Sequence, residues 1–312
     1  MSVYTSVSPE ALTEWLGHYR LSGLVLLEPI LEGITNSNYF VLLPDRKLVL
    51  TLFESIDLNE APVYLELMHH LASHGVPCPL PLADYQGGFV SMLAGKPACL
   101  VTYLAGHSVD RPNVAQCEVV GKMLANMHLA GQTFPHRMIN PRGLAWWNQT
   151  AHHLYPLLST NDAKLLREEI DFQNAHQDLV IPKSIIHADL FKDNVLMDQD
   201  QVIGFIDFYY ACYDYLLYDI AITLNSWAGL PEGDMDDKKA QALLKGYQSV
   251  RLLNKSEIAV WPAMLRAAAL RFWLSRLQDS FYPMPGEITY IKDPTVFRLM
   301  LCKYRLRSEY WL

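Results

Sequence analysis

Three polar residues, Asp189, Asn194 and Asp207, stand in an order that suits phosphoryl transfer from a nucleotide. They lie in the stretches His187-Ala188-Asp189-Leu190-Phe191-Lys192-Asp193-Asn194 and Ile206-Asp207-Phe208. That chemistry asks for little covalent help. It needs an in-line hydroxyl, a metal across the phosphates and donors held in place. Asp189 could orient or deprotonate an acceptor hydroxyl, an effect of roughly 10²–10⁴-fold for general bases. Asn194 and Asp207 offer hard oxygen ligands suited to Mg²⁺. His187 reads as a structural residue bracing the loop. The competing chemistry, a metallohydrolase using His187 and Asp189, lacks a convincing set of further His, Asp or Glu ligands. The adjacent pairs His69-His70 and His152-His153 point to different sides of a helix and read as surface residues.

The segment around these residues must bring them together. Val195-Leu196-Met197 and Val202–Phe208 flank the polar tetrapeptide Asp198-Gln199-Asp200-Gln201, which is a hairpin signal. If Met197 pairs with Val202, Asn194 falls opposite Phe205, and Asp207 lies two residues on, on the same face. Diagonal neighbours of this kind are about 7–8 Å apart at the backbone, close enough to share one Mg²⁺. Glu32-Gly33-Ile34-Thr35-Asn36-Ser37-Asn38 is the candidate loop over the phosphates. With one glycine, it would act through backbone N–H groups and the small polar side chains of Asn36, Ser37 and Asn38.

The rest of the chain supplies a scaffold of two textures. Ser8-Pro9-Glu10 opens a short helix, followed by strand-like runs at 24–31, 38–43 and 47–53. Tyr64, Leu67, Met68 and Leu71 stripe a helix that ends near His74-Gly75, and Lys96 through Leu104 reads as the last strand of the block. Beyond Ala105-Gly106 the spacing turns helical. Cys117, Val120, Met123, Leu124, Met127 and His128 recur at three and four, and further amphipathic segments fill 142–177, 240–252 and 257–279. The pattern predicts an α+β bilobal fold: a strand-rich nucleotide-binding lobe over 1–104, a hinge near 101–106, and a helical catalytic and substrate lobe over 105–312.

Composition limits the partners. The chain has 312 residues, 51% hydrophobic and 19% charged, enough to bury a sizeable core. A net charge of −8 without a Lys/Arg block argues against nucleic acid or an acidic membrane surface. No apolar run is long enough to span a bilayer. The five cysteines are scattered without metal or redox spacing, so they read as thiols of a soluble cytoplasmic protein. Nothing in the pattern speaks to the oligomeric state.

The set His187-Ala188-Asp189, Asn194 and Asp207 resembles the aminoglycoside phosphotransferase-like kinase superfamily, which has a protein-kinase-like fold. Gly121, Leu124 and His128 look like its first large-lobe helix, and Tyr218-Asp219-Ile220-Ala221 like its second Asp motif. Glu32–Tyr39, Leu50–Glu54, Ile206–Cys212 and Leu243–Tyr247 are most similar to the homoserine-kinase branch. The resemblance implies ATP between the lobes with adenine against the backbone of Val101, Thr102, Tyr103 and Leu104. It implies Asp189 as base, Asn194 and Asp207 as Mg²⁺ ligands, and His187 and Asp219 as supports of the loop. The implied reaction converts L-homoserine to O-phospho-L-homoserine, a step towards threonine. One departure stands out. Kinases of this kind carry a lysine on the third strand, paired with a helix glutamate for which Glu66 is the candidate, yet Thr51 occupies the lysine's place. Lys47 shares that face but lies about 13 Å away along the strand.

Only residues 208–218 separate Asp207 from Asp219, too few for a phosphorylatable activation segment, so the acceptor should be small. A substrate carboxylate would favour an arginine fork, and Arg271 is the candidate. Tyr209, Tyr210 and Trp273 could form a cation box, although such aromatics are more often core. A kinase for another small alcohol, such as choline or an aminoglycoside, and a silent nucleotide-binding protein both remain open.

Overall fold

A computed structural model of the chain describes residues 5–31, 35–283, 292–307 and 311–312. The described residues divide into two compact units, one ending at Ala105 and one beginning at Gly106.

The first unit is a five-stranded antiparallel sheet in the order β1-β2-β3-β5-β4, built from Leu26–Ile30, Ser37–Leu42, Lys47–Leu52, Ser91–Leu93 (β4) and Lys96–Thr102 (β5). Alternation decides which face is buried: Tyr39 and Val41 of β2 and Leu48, Leu50 and Leu52 of β3 turn inward. Helix α1 (Pro9–Leu16) covers that face with Leu12, Trp15 and Leu16. Each such side chain contributes about 1.5–3 kcal/mol on burial. Ser8 caps the helix as its sequence suggests, accepting the Ala11 N–H at 3.1 Å, with Pro9 in the first turn. Helix α2 (Ala61–Ser73) stops at Gly75, whose φ of +80° ends it without a Cβ penalty. Strand β5 stops at Thr102, two residues short of the expected Leu104.

The second unit is mainly helical: α3 (Val114–Gly131), α4 (Leu144–Leu154), α5 (Thr160–Ala175), α6 (Leu216–Trp227), α7 (Asp237–Gln248), α8 (Lys255–Phe281) and α9 (Thr295–Leu306). Asn113 and Gln116 form a reciprocal capping box at the start of α3. Two glycines let α3 and α7 touch backbone to backbone. A Cβ on Gly121 would lie 2.0 Å from the Leu243 carbonyl oxygen, and one on Gly246 would lie 1.9 Å from that of Glu118. Four short strands form two ribbons: β6 (Lys183–Ile186) pairs with β9 (Cys212–Tyr215), and β7 (Val195–Asp198) with β8 (Gln201–Phe205). No helix of the described residues is long and apolar enough to cross a membrane.

The β7–β8 hairpin corrects the register expected from sequence. Met197 does pair with Val202, but Val195 pairs with Phe205, because a bulge leaves Ile203 as an extra residue opposite Leu196 and Met197. Asn194 therefore faces Ile206, whose N–H donates to the Asn194 carbonyl at 3.0 Å, rather than Phe205. The expected register assumed an unbroken ladder, and a bulge adds one residue to one strand. Gly106 packs against it: a Cβ there would sit 3.0 Å from Leu196 Cβ and 3.1 Å from Ile203 Cβ.

Candidate active site

Simple alternation no longer puts Asn194 and Asp207 on one face, and the backbone bends at Asp207 itself. Asp207 follows β8 with φ +62° and ψ +57°, the left-handed region, which turns the chain sharply at that residue. Ala188, immediately before Asp189, also has a positive φ of 61°. Left-handed backbone in a residue with a Cβ costs roughly 1–2 kcal/mol, so something must hold both.

Asp219 holds the first. It sits in the opening turn of α6, fully buried, and its carboxylate accepts the N–H groups of His187 and Ala188, each at 2.8 Å. Its Oδ2 also lies 3.0 Å from His128 Nε2. Burial lowers the pKa of His128, keeping it neutral, so Nε2–H donates to Asp219 and Nδ1 accepts from the Tyr247 hydroxyl at 2.8 Å. Arg251 then donates to Tyr247 at 3.3 Å and pairs with buried Glu257 at 2.8 Å. A chain of polar contacts thus runs from α7 and α8 through α3 to the loop. His187 holds the second bend: its Nε2–H donates to the Ile206 carbonyl at 2.9 Å, one residue before Asp207, while its ring packs 4.7 Å from that of Phe208.

Within that frame, Asn194 Nδ2 donates to the Asp189 carbonyl at 2.8 Å and to its carboxylate Oδ2 at 3.2 Å. The Asp189 pKa is pushed up to about 6, chiefly by burial, with Arg271 partly offsetting the rise. Asp207 is pushed up to about 7, again by burial first and then by the negative charges of Asp189 and Asp193. The Asp207 Oδ1 is sealed from solvent and has no hydrogen-bond partner. Two mutually repelling carboxylates, one with an orphaned oxygen, make a site short of a cation. Among the described residues no three His, Cys, Asp or Glu side chains form a metal cluster. One carboxylate plus one carboxamide is nevertheless the sparse oxygen set Mg²⁺ accepts when phosphates and water complete its shell, so the residues fit that ion.

Arg271 comes to the same place. It lies on α8, 5% exposed, with a guanidinium nitrogen 3.6 Å from Asp189 Oδ1. Its pairing is with this acid, not with a surface one. Trp273 is core, 1% exposed, so it is no part of an aromatic box. Tyr210 is different: its ring has Arg271 at 5.3 Å and Arg142 at 5.9 Å.

In the first unit the phosphate-loop candidates are less open than expected. Gly33 lies outside the described residues. Ser37 is fully buried and donates to Glu54 at 2.6 Å; Asn36 accepts the Glu54 N–H at 3.4 Å; Asn38 accepts the Thr51 hydroxyl at 2.7 Å. Their side chains are committed to the sheet, which corrects the reading that they reach outward, and Ser37 and Asn38 are themselves paired in β2 with Leu52 and Thr51. Thr51, where a lysine was expected, is thus a strut between β3 and β2. The lysine beside this segment is Lys96 of β5, 3.0 Å from Glu54. Lys47 is elsewhere, its Nζ over the rings of Phe40 and Tyr103 at 3.6 and 4.3 Å. Val101 is buried in the sheet, Thr102 exchanges hydrogen bonds with Leu80, and Tyr103 and Leu104 continue past the end of β5.

Sequence reasoning found Asp189, Asn194, Asp207, His187, Asp219 and Arg271, which the second unit gathers. It missed His128 and Tyr247 as partners of Asp219. The signal was present: His128 is the one ionisable residue in an otherwise apolar helical stripe.

With this geometry in place, comparison with known proteins is informative. A model of the phosphotransferase enzyme family matches residues 26–253. A homoserine kinase of Methylobacillus flagellatus is 46% identical over 96% of this chain and 94% of its own. A homoserine kinase of Neisseria meningitidis is 48% identical over 96% of this chain and 99% of its own. In fold, an amicoumacin kinase solved with AMP-PNP and Ca²⁺ superposes with a TM-score of 0.71 at 14% identity, covering 96% of this chain and 92% of that one. The α+β, protein-kinase-like fold read from the sequence therefore stands. The chain belongs to the phosphotransferase enzyme family.

Proposed function

We propose that this protein transfers the γ-phosphoryl group of ATP to the hydroxyl of L-homoserine, forming O-phospho-L-homoserine, in the cytoplasm. The observation that carries the reading is near-full-length identity of 46–48% to homoserine kinases, in a chain whose Asp189, Asn194 and Asp207 converge on one cation-poor site. Free cysteines throughout the described residues accord with a reducing compartment.

In this reading Asp189 meets the acceptor hydroxyl. Its raised pKa, about 6, lies near working pH, where a base both stays largely ionised and accepts a proton readily. Asn194 fixes the Asp189 carboxylate through Nδ2 and keeps its own carboxamide oxygen for a metal, beside Asp207. Mg²⁺, when bound there, would neutralise phosphate charge. Asp219 and His187 set the loop geometry and touch no substrate. Arg271 contacts the acceptor's charged end while holding Asp189 from the other side. In the first unit, the backbone at Val101, Thr102, Tyr103 and Leu104 meets adenine. The chain entering β2, at Asn36, meets the phosphates, with Lys96 as the nearby cation in place of a β3 lysine.

A coupled ADP-release assay with homoserine, choline, methylthioribose and an aminoglycoside tests the reading. Turnover of homoserine well above the others is expected. Preferred turnover of another alcohol, or ATP binding with no turnover at all, would refute it.

A further inference from the structure

The second unit holds a set of charged groups beside Asp189 that phosphoryl transfer alone does not require. On α8, Arg271, Ser275, Gln278 and Asp279 recur at helical spacing and form one polar stripe. Arg142, just before α4, reaches this stripe by donating to Gln278 Oε1 at 3.4 Å. Its guanidinium also stacks 4.4 Å from the Trp146 ring and shares the Tyr210 ring with Arg271.

Several of these groups lack the partner their chemistry wants. Arg142 makes no ion pair among the described residues, although it is half-buried between two aromatic rings. Ser275 Oγ is sealed without a hydrogen-bond partner. Asp279 closes no salt bridge among the described residues. It is open to solvent, with the positive charges of Arg142, Arg271 and Arg276 around it. Arg142, a guanidinium that closes no ion pair among the described residues, and Asp279, a carboxylate within the field of Arg142, Arg271 and Arg276, are the two halves of a zwitterion site.

We propose that this cluster binds the α-amino-acid end of the acceptor: Arg142 and Arg271 take its carboxylate, Asp279 takes its ammonium, and the hydroxyl arm extends to Asp189. The proposal rests on the kinase reading above and adds the recognition it leaves unassigned. Arg271 links anchor and base, because it lies beside both Asp189 and the Tyr210 ring that Arg142 shares. Ser275 supplies one further donor or acceptor on the same stripe.

The test is a cycle of substrates and variants. L-Homoserine is compared with aminopropanol, which lacks the carboxylate, and γ-hydroxybutyrate, which lacks the ammonium, in kcat/KM or, where turnover fails, as competitive inhibitors. The parent should discriminate against each analogue by roughly ten- to hundredfold, the range for one charge-assisted contact. In Arg142→Ala the discrimination against aminopropanol should collapse while that against γ-hydroxybutyrate persists. In Asp279→Asn the pattern should reverse. Arg142→Lys should recover part of the carboxylate preference, which separates charge recognition from loss of packing. If either variant loses equally on all three compounds, or neither changes the ratios, the assignment is wrong. A parent protein that does not phosphorylate homoserine would overturn the functional reading itself, and this proposal with it.

Discussion

The polar cluster around β2 and β3 and the polar cluster around Asp207 are built in opposite ways. In the sheet unit Ser37, Asn36, Asn38, Thr51, Glu54 and Lys96 satisfy one another. At the helical unit's site Asp207 keeps an orphaned oxygen, His187 Nδ1 has no partner, and Ala188 and Asp207 sit at positive φ. Satisfied networks act as struts, while unsatisfied ones are held open for a ligand by structure elsewhere. Here that structure is the Asp219–His128–Tyr247 chain.

Four variants test that contrast. Asp189→Ala should reduce kcat the most, by roughly 10²–10⁴-fold or more, while ATP affinity in a binding titration stays close to the parent's. Near-normal turnover would remove Asp189 from the chemistry. Asp207→Asn should also lose most activity, yet it should raise the metal-free melting temperature, because an unpaired buried carboxylate becomes a neutral amide that tolerates left-handed backbone. A gain of about 1 kcal/mol is expected. A fall in stability would mean that Asp207 is a strut after all.

His128→Asn addresses the support. The folded pKa of His128 is depressed, so below the usual 6.5 the unfolded chain takes up a proton that the folded chain refuses. The parent therefore loses stability through this residue as pH falls below 6.5, and the variant does not. The urea-unfolding gap between them should narrow by up to about 1.4 kcal/mol per pH unit. A constant gap would place the His128 proton elsewhere. Thr51→Val should show the smallest effect on turnover: kcat is retained, with roughly 1–3 kcal/mol of stability lost by stranding Asn38 Oδ1. Loss of turnover at unchanged stability would make Thr51 part of the chemistry.

How far the sequence was legible follows the range of its forces. The helices and strands were readable because caps, glycine stops and periodicity are local, as Ser8 and Gly75 show. The site residues were readable because their order is dense over 187–207. The bulge at Ile203 was not read, although Gly204 inside the strand is the kind of residue that marks one; Gly106 packs against it from elsewhere in the chain. Nor was the outer support, because Tyr247 and Asp219 meet His128 from 119 and 91 positions away in the chain. Arg142 and Asp279 escaped for the same reason: each is an ordinary charged residue until the fold surrounds it with aromatic rings and other arginines.

The left-handed turn at Asp207 also shapes how this chain can age. Among residues with side chains, asparagine and aspartate tolerate that backbone best, and glycine adopts it freely. A lineage released from selection for activity could therefore replace Asp207 by asparagine or glycine with little harm to folding, whereas most other residues would meet the conformational barrier first. In such a lineage, silence would be written first at position 207, in one of two letters.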